Sequence, residues 1–351
     1  FTLATITFLS TFTSFALASE ALSERTLELV TVIGSKQAIS DIPGSASYIS
    51  EEELAKFEYT DITRILGQVP GVYLMEEDGY GLRPNIGMRG TGLSRSDKIT
   101  IMEDGVLAAP AAYAAPSAYY FPTIGRMQSV EVLKGTSAIM YGPRTTGGVL
   151  NLVSRAIPNE DMAGALDLAV GEDGFGKFHG YLGGETDTIG TLFEYYRYQA
   201  DGFKNLPIRQ DTGFVKNDLM TKFRLNNDRN AKLYQELELK LKYSDETSDE
   251  TYLGLTDEDF AADPYRRYAA SQEDQMNNEH KQVQLNHYIQ LAGGIEVNSS
   301  IYRNDFWRNW YKTGLDAQIA SDFEKGLLGD TPVSYTHLRA HETVLVISYA
   351  V

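Results

Sequence analysis

The sequence predicts an α+β domain followed by an antiparallel β-barrel that crosses a membrane. Three observations carry this. Residues 47–158 mix helix-capping signals with short apolar strand runs. From about residue 164 the chain changes to long segments with strict period-2 alternation. The connections between those segments are alternately short and long, which is the pattern of an outer-membrane barrel. Composition sets the limits. The chain has 351 residues, 31 basic and 48 acidic, for a net charge of −17, which argues against a nucleic-acid binder. There is no cysteine, so a disulfide scaffold, a thiol nucleophile and a thiolate metal site are ruled out. The 42% hydrophobic content is enough for a packed core.

In chain order, residues 1–18 (FTLATITFLSTFTSFALA) are uncharged and end in Ala16-Leu17-Ala18, a small-x-small site. They read as the apolar part of a signal peptide whose start is truncated. The stretch is shorter than the roughly 20 apolar residues of a membrane helix, and no later segment comes close. Any passage through a bilayer must therefore use strands closed into a barrel. Residues 19–46 form a polar lead. Within it Glu28, Leu29, Val30, Thr31, Val32 and Ile33 make an extended, β-branched patch. That patch suits either addition to another protein's sheet edge or an ordinary first strand.

The domain at 47–158 opens with Ser50 and Glu53, a capping box ahead of Leu54 and Phe57. Asp61–Gly67 reads as a second short helix, stopped by Gly67 and Pro70. Strand runs follow at 72–75, 98–102, 130–133 and 148–153, and Asp104-Gly105 reads as a hairpin turn. The glycine-rich run Gly142–Gly148 lacks the Gly-Lys-Ser/Thr ending of a phosphate loop. No nucleophile–base pair emerges, so no catalytic residue, resident cofactor or enzymatic activity is expected.

Residues 159–332 carry seven candidate strands, near 164–171, 176–183, 189–200, 217–227, 232–244, 281–292 and 294–304. Most exceed the 5–6 residues common in soluble proteins and approach the 9–11 of a membrane strand. In the clearest, Leu237, Leu239, Leu241 and Tyr243 share one face while Glu236, Glu238, Lys240 and Lys242 share the other. A soluble sandwich strand alternates as well. Tyr195, Tyr196 and Tyr198, with Phe306, Trp307, Trp310 and Tyr311, read as pieces of aromatic girdles. Residues 201–216 and 245–280 read as long outer loops. The tail at 333–351 fits neither pattern, resembles a translated sequencing adaptor, and is set aside as non-native. Its His337 and His341, with Glu342, are too few donors for a metal site.

Three segments carry a family resemblance: Arg83-Pro84-Asn85-Ile86-Gly87-Met88-Arg89-Gly90, Ile101-Met102-Glu103-Asp104-Gly105-Val106, and the run from Val130-Glu131-Val132-Leu133-Lys134-Gly135 through Tyr141-Gly142 to Gly147-Gly148-Val149-Leu150-Asn151. In this order and spacing the chain resembles the plug domain of TonB-dependent outer-membrane receptors, with details most like the ferric dicitrate transporter branch. The resemblance implies a barrel of about 22 strands with a plugged lumen. About seven of those strands are present here, so the chain reads as a fragment. It also implies location in the outer membrane among its lipids, and energy from a TonB-ExbB-ExbD complex. The cargo would be a ferric chelate, ferric dicitrate first, with another siderophore, cobalamin or a glycan as alternatives. A secreted soluble β-rich binding or adhesion protein is the rival of another class.

Residue roles follow from the same resemblance. Glu28–Ile33 stand where the family keeps its TonB box. The short lead before them implies transport without a sigma-factor signalling domain. Arg89 and Lys134 match the family's plug–barrel latch, with Glu236, Glu238 and Glu296 at the inward parity to pair with them. An anionic chelate needs cationic and hydroxyl donors. Arg83, Arg95, Tyr113, Tyr119 and Tyr120 on plug loops, and Arg266, Arg267 and Tyr268 in the long loop, are the candidates.

Overall fold

The computed structural model describes residues 31–108, 120–207, 211–249, 251–291 and 295–313, and the backbone of a strand at 333–350. The leader, Glu28–Val30, Tyr113 and Tyr119 lie outside the described residues.

The first domain forms around a five-stranded mixed sheet. Its strands are β1 (Ser45–Ile49), β4 (Ile99–Glu103), β5 (Val106–Leu107), β6 (Met127–Lys134) and β7 (Gly148–Ser154). They lie in the order β1-β6-β7-β4-β5, with β4 and β7 parallel and the other pairs antiparallel. A separate hairpin joins β2 (Val72–Met75) to β3 (Asn85–Met88). Helix α1 (Glu51–Ala55) starts on the expected capping box: the Glu53 amide donates to Ser50 Oγ and the Ser50 amide to the Glu53 carboxylate. Helix α2 (Ile62–Leu66) is capped by Asp61 and ends at Gly67. The four expected strand runs are present, whereas β1, β3 and β5 were not foreseen as strands. They are short; β1 pairs with the distant β6, while β3 and β5 pair with their neighbours β2 and β4.

Both faces of this sheet are covered. Ile99, Ile101, Val130, Val132, Leu150 and Leu152 pack with Ile62, Leu66, Ile86 and Met88 of the helices and hairpin. On the other face Met102, Leu133, Val149 and Ala138 pack with Val32, Ile42 and Ala46. Asp104 and Gly105 both adopt positive φ, 51° and 75°, the two-residue turn that matches strand twist.

The second region is one antiparallel sheet in sequence order. It comprises β8 (Ala163–Val170), β9 (Gly176–Glu185), β10 (Ile189–Ala200), β11 (Phe214–Asn226), β12 (Tyr234–Ser248), β13 (Gln275–Gln290), β14 (Glu296–Thr313) and β15 (Val333–Ala350). Strand length grows from 8 residues in β8 to 18 in β14. The seven expected strands are all present. Those at the long-loop end run further than alternation showed, so the loop expected at 245–280 narrows to 249–274. The tail set aside as fitting neither pattern continues the sheet by pairing along β14.

Burial reverses the usual sense. Lys216, Asp218, Lys222, Glu236, Lys240, Lys242, Gln282, Gln284 and Asn286 are buried on the inner face. Leu219, Leu237 and Val283 on the opposite face are 46%, 38% and 47% exposed. A sheet with apolar residues outward and polar residues inward is a barrel wall that faces lipid. One expectation fails here. Tyr196, Tyr198, Phe306 and Trp310 are buried on the inner face; the first three pack against the plug and Trp310 against Tyr252 of the long loop, rather than form girdles. Their even numbering puts them on the face shared with Lys216 and Lys240.

Candidate functional site

The chemistry of the molecule concentrates where plug meets wall. Strand β4 ends at Glu103-Asp104, and the turn that follows pushes both carboxylates into the wall. Glu103 Oε1 accepts from Arg126 Nη2 and from Lys240 Nζ, each at 2.7 Å, and its other oxygen accepts from Lys242 Nζ. Asp104 Oδ2 accepts from Lys240 Nζ at 2.6 Å, with Lys222 Nζ at 3.8 Å. Arg126 Nε stands 3.0 Å from Asp218 of β11. All of these groups are buried. Thus two plug carboxylates face four-carbon cations from two wall strands, and a plug guanidinium bridges to a wall carboxylate. Gln284 of β13 adds a bond to the Asp104 carbonyl at 3.2 Å.

Burial alone would raise the carboxylate pKa values. The Arg126, Lys240 and Lys242 charges overcome it and hold Glu103 well below the usual range. Lys240 and Lys222 do the same for Asp104, bringing it to about 2. Tyr120 lies over the cluster, stacked on His280 with ring centroids 4.2 Å apart and 4.9 Å from Lys242 Nζ. Burial, then the Asp218 and Glu103 charges, hold its hydroxyl well above the ordinary range.

A second contact lies nearer the long loops. Arg83 Nη2 donates to Glu246 at 2.6 Å, and Lys216 Nζ stands 3.3 Å from the same carboxylate. A third joins Arg155 to Glu51 of α1 at 3.0 Å and to Glu194 of β10 at 3.2 Å. The Arg155 guanidinium also lies 4.0 Å over the Tyr181 ring.

The expected residues are placed as follows. The latch pairing is not formed: no ion pair joins Arg89 or Lys134 to Glu236 or Glu238. Arg89 is exposed, and Lys134 Nζ donates to the Pro70 carbonyl at 2.7 Å. Burial, and then the nearby Arg89 charge, lower the Lys134 pKa. Glu236 accepts from Tyr234 Oη at 2.7 Å, and Glu296 from Gln290 at 3.1 Å. Inward parity was correct for Glu236 and Glu238, but parity names a face and not a partner. Arg83 is buried in the wall contact rather than offered to a ligand. Arg95 is placed as a mouth residue. It pairs with Glu77 at 2.5 Å and donates to Tyr252 Oη of the long loop at 3.0 Å. Arg266 pairs with Asp259 at 2.8 Å on the loop surface, and Arg267 donates to the carbonyls of Pro264 and Arg266.

Of the six residues proposed as the TonB box, Thr31–Ile33 are described. They lie along the plug sheet, and Ile33 is buried. Sequence reasoning missed Glu103, Arg126 and the lysine set. The available signal was the lysines recurring at every second position opposite the lipid-facing leucines, which demands buried counter-charges. Beside Arg95 the mouth gathers Trp310 and Lys312 of β14: Tyr252 and Trp310 meet edge to face at 5.8 Å, and Lys312 Nζ lies 4.0 and 4.4 Å from the two rings.

Comparison with known proteins agrees with this architecture. The family model described as TonB-dependent Receptor Plug Domain matches residues 38–149. A vitamin B12 transporter of Photobacterium profundum is 26% identical over 54% of this chain and 33% of its own length. An iron-regulated outer membrane virulence protein of Vibrio cholerae is 30% identical over 41% of this chain and 22% of its own. The chain thus spans a third or less of these relatives. The ferric citrate transporter FecA superposes with a TM-score of 0.66 at 23% identity, over 81% of this chain and 43% of that one. The ferric yersiniabactin uptake receptor of Yersinia pestis superposes at 0.60 and 18%, over 79% and 43%. Residues 38–149 thus carry the plug domain of the TonB-dependent receptors of the outer membrane, and the strands that follow have the fold of the barrel wall in such receptors.

Proposed function

We propose that the protein takes up a ferric chelate across the outer membrane, with ferric dicitrate as the first candidate, and catalyses no reaction. The observation that carries this is the mouth formed by Arg95, Tyr252, Trp310 and Lys312. A guanidinium that would exchange its Glu77 partner for the ligand's carboxylates, and an ammonium beside two aromatic rings, suit a multiply anionic, compact ligand, because charge-assisted bonds to carboxylates are the strong ones. The likeness to iron and vitamin B12 transporters supports iron or vitamin B12 as cargo. A neutral-to-weakly charged corrinoid has less use for two cations at the entrance.

Energy would come from a TonB-ExbB-ExbD complex that adds Glu28–Ile33 to its own sheet as a strand and pulls. The charged contacts between plug and wall suit such a device. Hydrophobic surfaces of that size would seal the lumen, whereas directed ion pairs hold a register and can re-form after displacement. The test is uptake of radiolabelled iron citrate by cells lacking or carrying the full-length gene. Uptake that requires the gene and stops with a protonophore supports the reading. Normal iron-citrate uptake in the deletion strain, with cobalamin uptake lost, would replace iron by the corrinoid.

A further inference from the structure

The carboxylate of Glu131 sits in the middle of the plug and belongs to none of the wall contacts. It receives three successive backbone amides: Val32 N at 2.6 Å, Ile33 N at 3.1 Å and Gly34 N at 2.7 Å. Gly34 has φ 79°, which lets the chain curl so that consecutive N–H groups converge on one anion. Glu131 is buried, and its β6 position faces Asn151 across β7. Asn151 Nδ2 donates to the same carboxylate at 2.8 Å, and Asn151 Oδ1 accepts from Gly105 N at 3.1 Å. Gly105 is the second residue of the turn whose first residue, Asp104, holds Lys240 of the wall. A series of hydrogen bonds therefore runs from residues 32–34, through Glu131 and Asn151, to Gly105, whose chain neighbour Asp104 sits in the plug–wall ion cluster.

We propose that Glu131 clasps the end of the pulled segment, and that Glu131 and Asn151 couple its release to the Asp104–Gly105 turn. This deepens the docking reading of residues 28–33 and rests on it. A strand-adding partner holding residues up to Thr31 meets the clasp as the next obstacle. Amides bound to a buried carboxylate are stronger than neutral pairs. Force therefore enters β6, an interior strand of the plug sheet, rather than peeling the segment away freely. When the clasp opens, Glu131 is left with only Asn151 among these donors. The Asn151 side chain then follows Glu131 away from Gly105, and the turn that positions Asp104 against Lys240 loosens. Glu131 and Asn151 are positioning residues in this scheme; they touch neither cargo nor partner.

The test uses the full-length receptor in outer-membrane vesicles. These 351 residues hold no cysteine, and any cysteine elsewhere in the full-length receptor is first replaced by serine, so that introduced thiols report singly. Ile33→Cys reports the clasp, Val106→Cys the turn, and Ile101→Cys the plug core. Glu131→Gln keeps the shape, removes the charge and turns an amide donor toward the three N–H groups. The expected result is thiol labelling at Ile33→Cys faster by about tenfold, the loss of roughly one charge-assisted bond. Labelling at Val106→Cys should be severalfold faster, and Ile101→Cys should remain protected. Unchanged labelling at Ile33→Cys overturns the clasp, and faster labelling there with no change at Val106→Cys overturns the coupling. If Glu131→Gln also exposes Ile101→Cys, Val32→Pro decides by the same two readouts, since it deletes one donor and leaves the sheet intact. No partner enters this measurement. Val30→Pro with normal uptake would sink the docking reading and leave the clasp standing.

Discussion

The plug and the wall solve opposite problems with the same chain. In the plug sheet, Ile99, Ile101, Val130 and Leu150 point into an apolar core, and water is the solvent. In the wall, Leu219, Leu237 and Val283 point out, and lysines, glutamines and carboxylates point in. Apolar burial is non-directional, so the plug core tolerates repacking. The wall's inner face has no such freedom: each buried lysine needs a particular carboxylate. The interface is specified by ion pairs because the surface the wall presents to the plug is polar by the requirement that its other face meet lipid.

The sharpest way to break this contrast is Glu103→Ala. It strands Arg126, Lys240 and Lys242 without their shared carboxylate, and unpaired buried charge costs about 3–5 kcal/mol. The expected outcome is a plug that unfolds well before the barrel in a denaturant titration, whereas the wild-type pair melts together. Next comes Leu241→Arg, on the outward face of β12. Near mid-membrane a lipid-facing arginine costs about 2–4 kcal/mol, read as lower yield of folded, heat-modifiable barrel. An equal charge change on the inner face, Gln284→Arg, should disturb plug docking instead of insertion.

The third prediction concerns pH. Asp104 is held at about 2 in the folded protein, below an ordinary aspartate, so its ion pairs stabilise docking fully above about pH 4. That stability is lost as pH falls through 4 toward 2, and amounts to about 2 kcal/mol in all. Thermal melts of the plug at about pH 5 and pH 2.5 should show the loss, and Asp104→Asn should flatten it. The smallest effect belongs to the plug alone. Ser50→Ala removes the capping box of α1 and costs about 1 kcal/mol, a small fall in plug Tm with docking unchanged.

The contrast also explains what the sequence could tell. Local chemistry was legible: the Ser50–Glu53 box, the Asp61 cap, the Asp104-Gly105 turn and the alternating strands each depend on residues a few positions apart. Which face of β12 points inward was legible too, because Leu237, Leu239 and Leu241 leave only one lipid-compatible side. Pairing across the interface was not. Lys240 and Glu103 are 137 positions apart, and nothing in either neighbourhood marks the other. Hence Arg83, expected at a ligand, is held by Glu246, and Arg89 and Glu236 do not meet. Tyr196 and Phe306 were misplaced for a different reason: an aromatic residue suits a lipid interface and a plug contact equally, and only strand parity separates the two.

The growth in strand length, from β8 to β14, has a consequence for whatever approaches from outside. On the outward face the leucines and valines give way to Asp245, Glu279, Lys281, Arg303 and Asp305, and the pairs Glu279–Lys281 and Arg303–Asp305 close there at 3.1 and 3.0 Å. Those charges mark the level where hydrocarbon stops. Above it β14 still continues to Thr313, which at about 3.4 Å per residue adds roughly 30 Å along the strand. The taller strands, β13 and β14, therefore rise beyond that level on their side of the sheet. On the proposed uptake reading, a solute approaching along that side passes these strands before it reaches the plug.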